Sequence, residues 1–141
     1  AGFSSDSFDM SKYNHATIVI IGDTNLAGNA VITVYGGATD AAETAAITFT
    51  YRYAGGNVAA ASSDVYGAAA TSAALTTTAT SMDLRSTLIE FDAADLNVSG
   101  TQYRYVTVVV SAAGTAGTCS IIAILSEPRY LEAVMDTANP A

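Results

Sequence analysis

Tryptophan is absent from this 141-residue sequence, cysteine and histidine occur once each, and only 13% of the residues are charged. The single cysteine, Cys119, excludes an intramolecular disulfide. The single histidine, His15, is too few for most zinc sites and nucleophilic triads. Thr, Ser, Gly and Asn interrupt the apolar residues, so no stretch approaches the ~20 residues of a membrane helix. We therefore expect a protein that is not an enzyme, binds no cofactor or metal, and contacts no membrane.

Basic side chains are also scarce, with 5 Lys and Arg against 13 Asp and Glu and a net charge of −8. The bases are scattered along the chain and form no cluster. Such a surface repels the phosphates of nucleic acid, so we expect no direct contact with DNA or RNA. An acidic surface keeps a protein soluble and suits a basic protein partner.

Hydrophobic residues make up half of the sequence and fall into short segments typical of strands. The clearest alternation runs over Ala46–Tyr53, where Ile47, Phe49, Tyr51 and Tyr53 share one face. We expect seven strands: His15–Ile21, Asn29–Tyr35, Ala46–Tyr53, Leu75–Ser81, Thr87–Asp92, Tyr103–Ser111 and Thr118–Leu125. No strand–helix–strand rhythm occurs, so the pattern predicts an all-β fold, an antiparallel β-sandwich or barrel of about seven strands. The last two strands are expected to form a hairpin through Ala112–Gly117.

Three regions follow from the distribution of polar residues: an extended N-terminal arm (1–12), a β domain (13–131) and a C-terminal tail (132–141). Phe3, Phe8 and Met10 on the otherwise polar arm predict docking, for example on a neighbouring subunit, and a frayed terminus is the alternative. Ala54–Ala74 is rich in small residues. It is expected to be a contact loop, or to form a short helix over Tyr66–Ala74.

Residues that could carry chemistry are few. Glu90, Asp92 and Asp95 could form an acid/base pair or a calcium site, but their spacing matches no calcium loop, and solvated acids at a strand end are the simpler interpretation. Cys119 lies in an apparent strand without a basic neighbour, which is typical of a small buried hydrophobe.

Two Tyr-Arg-Tyr triplets could bind a sugar, or they could belong to the core or to a protein interface. They are Tyr51-Arg52-Tyr53 and Tyr103-Arg104-Tyr105.

Near one end of the sequence, Asp9–Tyr13 precedes the strand His15–Ile21, and near the other end, Ala123–Tyr130 contains the sequence ILSEPRY. These two segments resemble small virion proteins of tailed bacteriophages, whose genes lie near that of the major capsid protein. Between them, Phe49–Arg52 and Ile89–Leu96 also fit the pattern. The resemblance therefore covers most of the chain from Asp9 to Tyr130.

The resemblance implies a capsid decoration or cement protein, located in the virion, that binds the outer surface of the major capsid protein shell. Such proteins often form homotrimers, so a homo-oligomer is expected. A head-fibre, tail or connector protein with a host-surface or glycan-binding role is the alternative. The arm, the loop and the two resembling segments supply the expected interface residues: Phe3, Phe8, Met10, Tyr13, Val58, Val65, Tyr66, Arg129 and Tyr130.

Overall fold

The computed structural model describes residues 2–22, 30–54, 65–77, 84–111 and 118–129. Within these ranges all paired strands are antiparallel, and one single-turn 3-10 helix spans Ala93–Leu96. The strands are β1 (Phe3–Ser4), β2 (Phe8–Asp9), β3 (Tyr13–Gly22), β4 (Ala30–Gly37), β5 (Ala45–Ala46), β6 (Phe49–Tyr53), β7 (Ala70–Ser72), β8 (Leu75–Thr77), β9 (Ser86–Asp92), β10 (Asn97–Val98), β11 (Thr101–Gln102), β12 (Tyr105–Ser111) and β13 (Cys119–Pro128).

One sheet has five strands in the order β13-β3-β9-β6-β7. Strand β3 lies second from its edge, and every other residue of that strand is buried. Ala16, Ile18 and Ile20 point into the core because alternate residues of a strand face opposite sides of the sheet. Strand β9 repeats the pattern with Ile89 and Phe91 inward, as its sequence predicts.

The other sheet has six strands, with β12 and β4 at its centre. Strands β1 and β2 pair with one side of β12, while β5 and β8 pair with the far side of β4. A separate two-stranded ribbon joins β10 to β11 through Ser99 and Gly100. Both of these residues have positive φ, as a two-residue type I′ hairpin turn requires.

Both sheets contribute to one buried cluster. Ile18, Ile20 and Ile89 come from the five-stranded sheet, and Ile32 and Val108 come from the six-stranded one. No strand described in either sheet pairs with a strand of the other, so the barrel alternative is wrong. The expectation of an all-β, antiparallel fold is confirmed.

Several local predictions differ from the structure. Ala46–Tyr53 is not one strand: Ala46 pairs in the six-stranded sheet, whereas Phe49–Tyr53 pairs in the five-stranded sheet. The expected final hairpin is also wrong, because β12 and β13 belong to different sheets. Its turn, residues 112–117, and the predicted tail lie outside the described residues. The helix alternative for Tyr66–Ala74 fails as well, since that stretch contains β7.

The N-terminal segment is part of the β domain and not a separate arm. Phe3 lies opposite Val110, and Phe8 lies opposite Val106, so the segment runs along the edge of β12. The Ser5 amide donates to the Val108 carbonyl between these two short pairings. Backbone hydrogen bonds of this kind satisfy an edge that would otherwise be open to pairing with another chain.

Candidate functional site

The two segments that carry the resemblance lie side by side. Tyr13, at the start of β3, lies opposite Pro128, at the end of β13. The Arg129 amide donates to the Lys12 carbonyl at 2.9 Å. A shallow pocket at this end of the molecule is lined by Met10 and Arg129, among other residues. Residues that are more than a hundred positions apart in the sequence therefore share one surface.

An ion pair holds the N-terminal segment beside this pocket. Arg104 Nε donates to both carboxylate oxygens of Asp9 at 2.9 Å, and its Nη2 donates to Oδ2 at 2.5 Å. The Arg104 hydrogen bonds keep the pKa of Asp9 well below its ordinary value, and the Ser11 amide adds to the effect. The guanidinium carbon of Arg104 also lies 5.2 Å from the Tyr105 ring centroid. Asp9 and Arg104 thus have a structural role at this end.

The expected interface residues on the N-terminal segment differ in their exposure. Met10 is only 1% exposed and belongs to the core, so its assignment to an interface is wrong. Phe8 and Tyr13 are partly buried and pack against that core. Phe3 is 39% exposed and lies at the edge of the six-stranded sheet. Of these four residues, only Phe3 therefore offers a large apolar surface to a partner.

The expected contact loop is described only in part. Val65 is 72% exposed. Tyr66 forms an isolated bridge with Ala54, and its hydroxyl lies 2.8 Å from Ser86 Oγ. These contacts hold Tyr66 against the five-stranded sheet. Val58 and Tyr130 lie outside the described residues.

A polar cluster on the outer face of the five-stranded sheet joins residues that the sequence did not connect. His15 Nδ1 lies 2.7 Å from Asp92 Oδ1, and His15 Nε2 lies 3.9 Å from Glu90 Oε1. The pairing of β3 with β9 places His15 directly opposite Asp92. Asp95 has a different role, because its carboxylate accepts the Asp92 amide at 2.8 Å and caps the 3-10 helix.

Glu90, Asp92 and Asp95 therefore do not act as one group of three acids. Asp95 is engaged with the backbone, and only Glu90 and Asp92 share a face with His15. Among the described residues, no three His, Cys, Asp or Glu side chains are grouped so that they could hold a metal ion.

The two Tyr-Arg-Tyr triplets do not form one tyrosine ladder. Tyr51 and Tyr53 lie on β6, with ring centroids 5.4 Å apart in an edge-to-face arrangement. Tyr105 lies on β12 in the other sheet. Tyr51, Tyr53 and Tyr103 all pack against the core, in agreement with the core alternative for these side chains.

The most exposed apolar surface among the described strands is one that the sequence analysis missed. On the outer face of the five-stranded sheet, Ile122 and Ile124 of β13 are 50% and 51% exposed, and Ile21 of β3 is 40% exposed. The sequence predicts a strand over Thr118–Leu125 and does not predict that its run Ile121–Leu125 is partly exposed. The sequence signal for such a surface is that Ile121–Leu125 does not alternate between apolar and polar residues. A strand that is apolar on both faces needs cover on both faces.

Cys119 begins this strand and is partly buried against the core. Burial raises the pKa of its thiol, which disfavours the reactive thiolate at neutral pH. Its environment agrees with the expectation of a small hydrophobic residue.

Comparison of the chain with protein-family models, with curated proteins and with solved structures finds no match. None of the described residues forms a helix with the length and apolar character needed to cross a membrane.

Proposed function

We propose that this chain is a decoration or cement protein of a tailed-phage head, which binds the outer surface of the major capsid protein shell and stabilises it. The observation that carries the proposal is the adjacency of the two resembling segments. Tyr13 lies opposite Pro128, and the Lys12 carbonyl accepts the Arg129 amide. The two resembling segments are far apart in the sequence, but they form one surface, as expected if both contribute to the same contact with the shell.

The exposed surface supports a role in protein–protein contact. Half-exposed Ile122 and Ile124 form an apolar patch with Ile21, and patches of this kind mark interaction sites. The net charge of −8 suits a partner with a basic surface and does not suit nucleic acid.

The proposal also includes the finer architecture and assembly. The two sheets face each other as a β-sandwich, since their inward side chains enter one core. In this role the chain has no catalytic activity and needs no cofactor. It acts as a homo-oligomer, for which the resemblance favours a trimer.

Reconstitution tests the proposal. Shells assembled from the major capsid protein without this chain are incubated with the purified chain, then sedimented and challenged with heat and osmotic shock. We expect saturable binding at many copies per shell and disruption at a higher temperature than that of bare shells. Bare shells that bind no chain, or that bind it without becoming more stable, would contradict the proposal.

A charge reversal tests whether the shared surface is the contact. Arg129 is exposed beside Lys12, so Arg129→Glu, which reverses a charge inside the proposed contact, should change shell binding by at least about tenfold. Arg85→Glu is the matched control, because it makes the same charge change near the opposite end of β3, where the Gly22 amide donates to the Arg85 carbonyl. Equal binding by the two variants would exclude the Arg129 surface as the contact.

The head-fibre, tail or connector alternative has less support. A glycan-binding ladder needs exposed tyrosine faces, whereas Tyr51, Tyr53 and Tyr103 pack against the core. Counting copies per particle separates the two roles: many copies over the head indicate decoration, and a few at one vertex indicate a connector or tail protein.

A further inference from the structure

Strand β13 is the only long strand at a sheet edge in the described part of the chain. The other edge strands of the two sheets each have two or three residues; they are β1, β2, β5, β7 and β8. Strand β13 has ten residues, and among the described strands it pairs with β3 alone, along one edge. Short edge strands are a common protection against unwanted pairing, and a long apolar edge is a template for another strand. The outer edge of β13 is therefore a template on which another strand can pair.

The sequence of β13 reads almost the same in both directions around Ala123. From Ser120 to Ser126 it runs Ser-Ile-Ile-Ala-Ile-Leu-Ser. When two copies of this strand pair antiparallel with Ala123 opposite Ala123, each residue on one side of Ala123 lies opposite the residue the same distance on its other side. Ile122 then meets Ile124, Ile121 meets Leu125, and Ser120 meets Ser126. A two-fold interface must be self-complementary, and this segment meets that requirement.

From these two observations we propose that β13 is a self-association edge, at which two copies of this chain pair antiparallel about a two-fold axis at Ala123. The pairing joins the two five-stranded sheets into one continuous sheet of ten strands. Backbone hydrogen bonds across the edge supply the contact, as in other cases of strand addition.

Side-chain burial favours this register. Ile122 and Ile124 lie on the same outer face and are about half exposed in the single chain. In the pair, Ile122 of each copy contacts Ile124 of the other, so the two-fold axis produces this contact twice. Directly opposite apolar side chains stabilise an antiparallel pair. Ala123, which is exposed at the centre, is small enough to let the two backbones approach.

Charge favours the same register. The chain has a net charge of −8, so most self-contacts would bring acidic groups together. The seven central residues of β13 carry no charge, and the only acidic residue of the strand, Glu127, falls opposite Cys119 of the second copy. Like charges directly opposite would destabilise the pair, and this register avoids them.

The inference goes beyond the proposed capsid role and does not depend on it, since the edge is a property of this chain alone. A three-fold ring cannot use the palindrome, because each subunit of a ring presents two different surfaces to its neighbours. The two-fold pairing therefore either replaces the trimer or joins two trimers through their β13 edges.

Light scattering after size exclusion, over a dilution series, tests the assembly. We expect a mass twice the chain mass of 14.3 kDa, or six times if trimers also form. One strand from each copy is a small part of the roughly 1,200–2,000 Å² buried in a stable interface, so dissociation on dilution is expected. A monomer at every concentration, or an isolated trimer, would overturn the proposal.

Substitution of the edge supplies the matched comparison. Ile122→Lys and Ile124→Lys should each weaken association at least about tenfold, since the axis brings every change into the interface twice. Thr71→Lys alters an exposed residue of β7, at the opposite edge of the same sheet, and should leave the mass unchanged. Circular dichroism checks that each variant is folded. Loss of association in Thr71→Lys would indicate pairing of β13 with β7 and would contradict the two-fold axis.

Cysteine cross-linking tests the register in a Cys119→Ser background. Opposite residues alternate between closer and wider pairs along an antiparallel ladder, and the closer pairs suit a disulfide. Ala123→Cys samples one kind of pair, and the double change Ser120→Cys with Ser126→Cys samples the other. We expect rapid oxidation to a covalent dimer in at least one of them, and none in either serine variant alone.

The natural Cys119 provides an internal control. Two copies of Cys119 would be eight residues out of register, or roughly 27 Å apart along the strands, so the unmodified chain should not cross-link. A dimer that cross-links in neither designed variant, or that forms a disulfide through Cys119, would overturn the register.

Discussion

Asp9 and Arg104 are 95 positions apart in the sequence, yet their side chains form three hydrogen bonds. The contact joins the N-terminal segment to the residue before β12. It also keeps the Asp9 carboxylate charged at a pH where an isolated aspartate would begin to take up a proton. A single side-chain pair therefore links the pH dependence of stability to the position of the N-terminal segment.

We expect Asp9→Asn to lower the melting temperature at pH 7 by no more than about 3 °C, because both side chains are partly exposed and solvent weakens the pair. The folded-state pKa of Asp9 lies below its ordinary value of 3.8, so its stabilisation is present above about pH 4 and is lost as the pH falls further. Thermal unfolding from pH 7 to pH 2 should therefore show the variant and the natural chain converging.

Asp6→Asn is the control for this measurement, because the Asp6 carboxylate accepts the Ser7 amide and forms no ion pair with any described residue. Its melting temperature should follow that of the natural chain across the range. A constant gap between Asp9→Asn and the natural chain at all pH values would contradict the assignment.

Buried threonines give a second comparison at the scale of single residues. The hydroxyl of Thr87 is buried without a hydrogen-bond partner in the described part of the chain, whereas Thr77 Oγ1 donates to the Ala30 carbonyl at 3.1 Å. Removing an unsatisfied hydroxyl relieves a desolvation cost. We expect Thr87→Val to be neutral or to stabilise by about 1 kcal/mol, and Thr77→Val to destabilise by about 1 kcal/mol, in urea denaturation. The opposite order would show that the Thr87 hydroxyl is satisfied.

At the scale of elements, the N-terminal segment is the clearest case of a short, polar-looking stretch that is part of the core. Met10 is 1% exposed, whereas Phe3 of the same segment is 39% exposed. Met10→Ala should destabilise the chain by about 2–5 kcal/mol, the usual cost of emptying a buried site. Phe3→Ala should cost less than about 1 kcal/mol, since it removes a partly exposed side chain. A similarly small loss of stability in both variants would contradict the inclusion of the N-terminal segment in the core.

The elements also show what periodicity can and cannot predict. Strand β9 has the expected faces because alternation is a local property that the strand keeps wherever it pairs. Which strands pair is decided by contacts between distant residues. The sequence therefore predicts neither that Ala46 and Phe49 enter different sheets nor that β12 and β13 separate.

The candidate surfaces likewise depend on which strands pair, and not on local alternation. The exposure of Ile122 and Ile124 depends on β13 being at an edge, and the contact of His15 with Asp92 depends on the pairing of β3 with β9. Neither the exposure nor the contact can be predicted from the residue types alone. By contrast, alternation places Tyr51 and Tyr53 on the same face as Phe49, and their packing against the core is one of the alternatives that the sequence offers.

At the scale of the whole molecule, one core joins the two sheets, so we expect a single cooperative unfolding transition. Far-UV circular dichroism and tyrosine fluorescence should give coincident urea curves. Ile18→Ala and Val108→Ala remove buried side chains from different sheets, and each should shift both signals by the same amount. Two separate transitions would show that the sheets are independent units.

The pairing of β3 with β13 has a consequence for synthesis of the chain on the ribosome. Strand β3 is made before both of its neighbours in the sheet, which begin at Ser86 and Cys119. The backbone edges of this apolar strand stay unpaired while about 60 further residues for β9, and about a hundred for β13, are translated at roughly 5–20 residues per second. The nascent chain is therefore open to wrong strand partners for several seconds, and a chaperone that covers extended apolar segments would act most usefully in that interval.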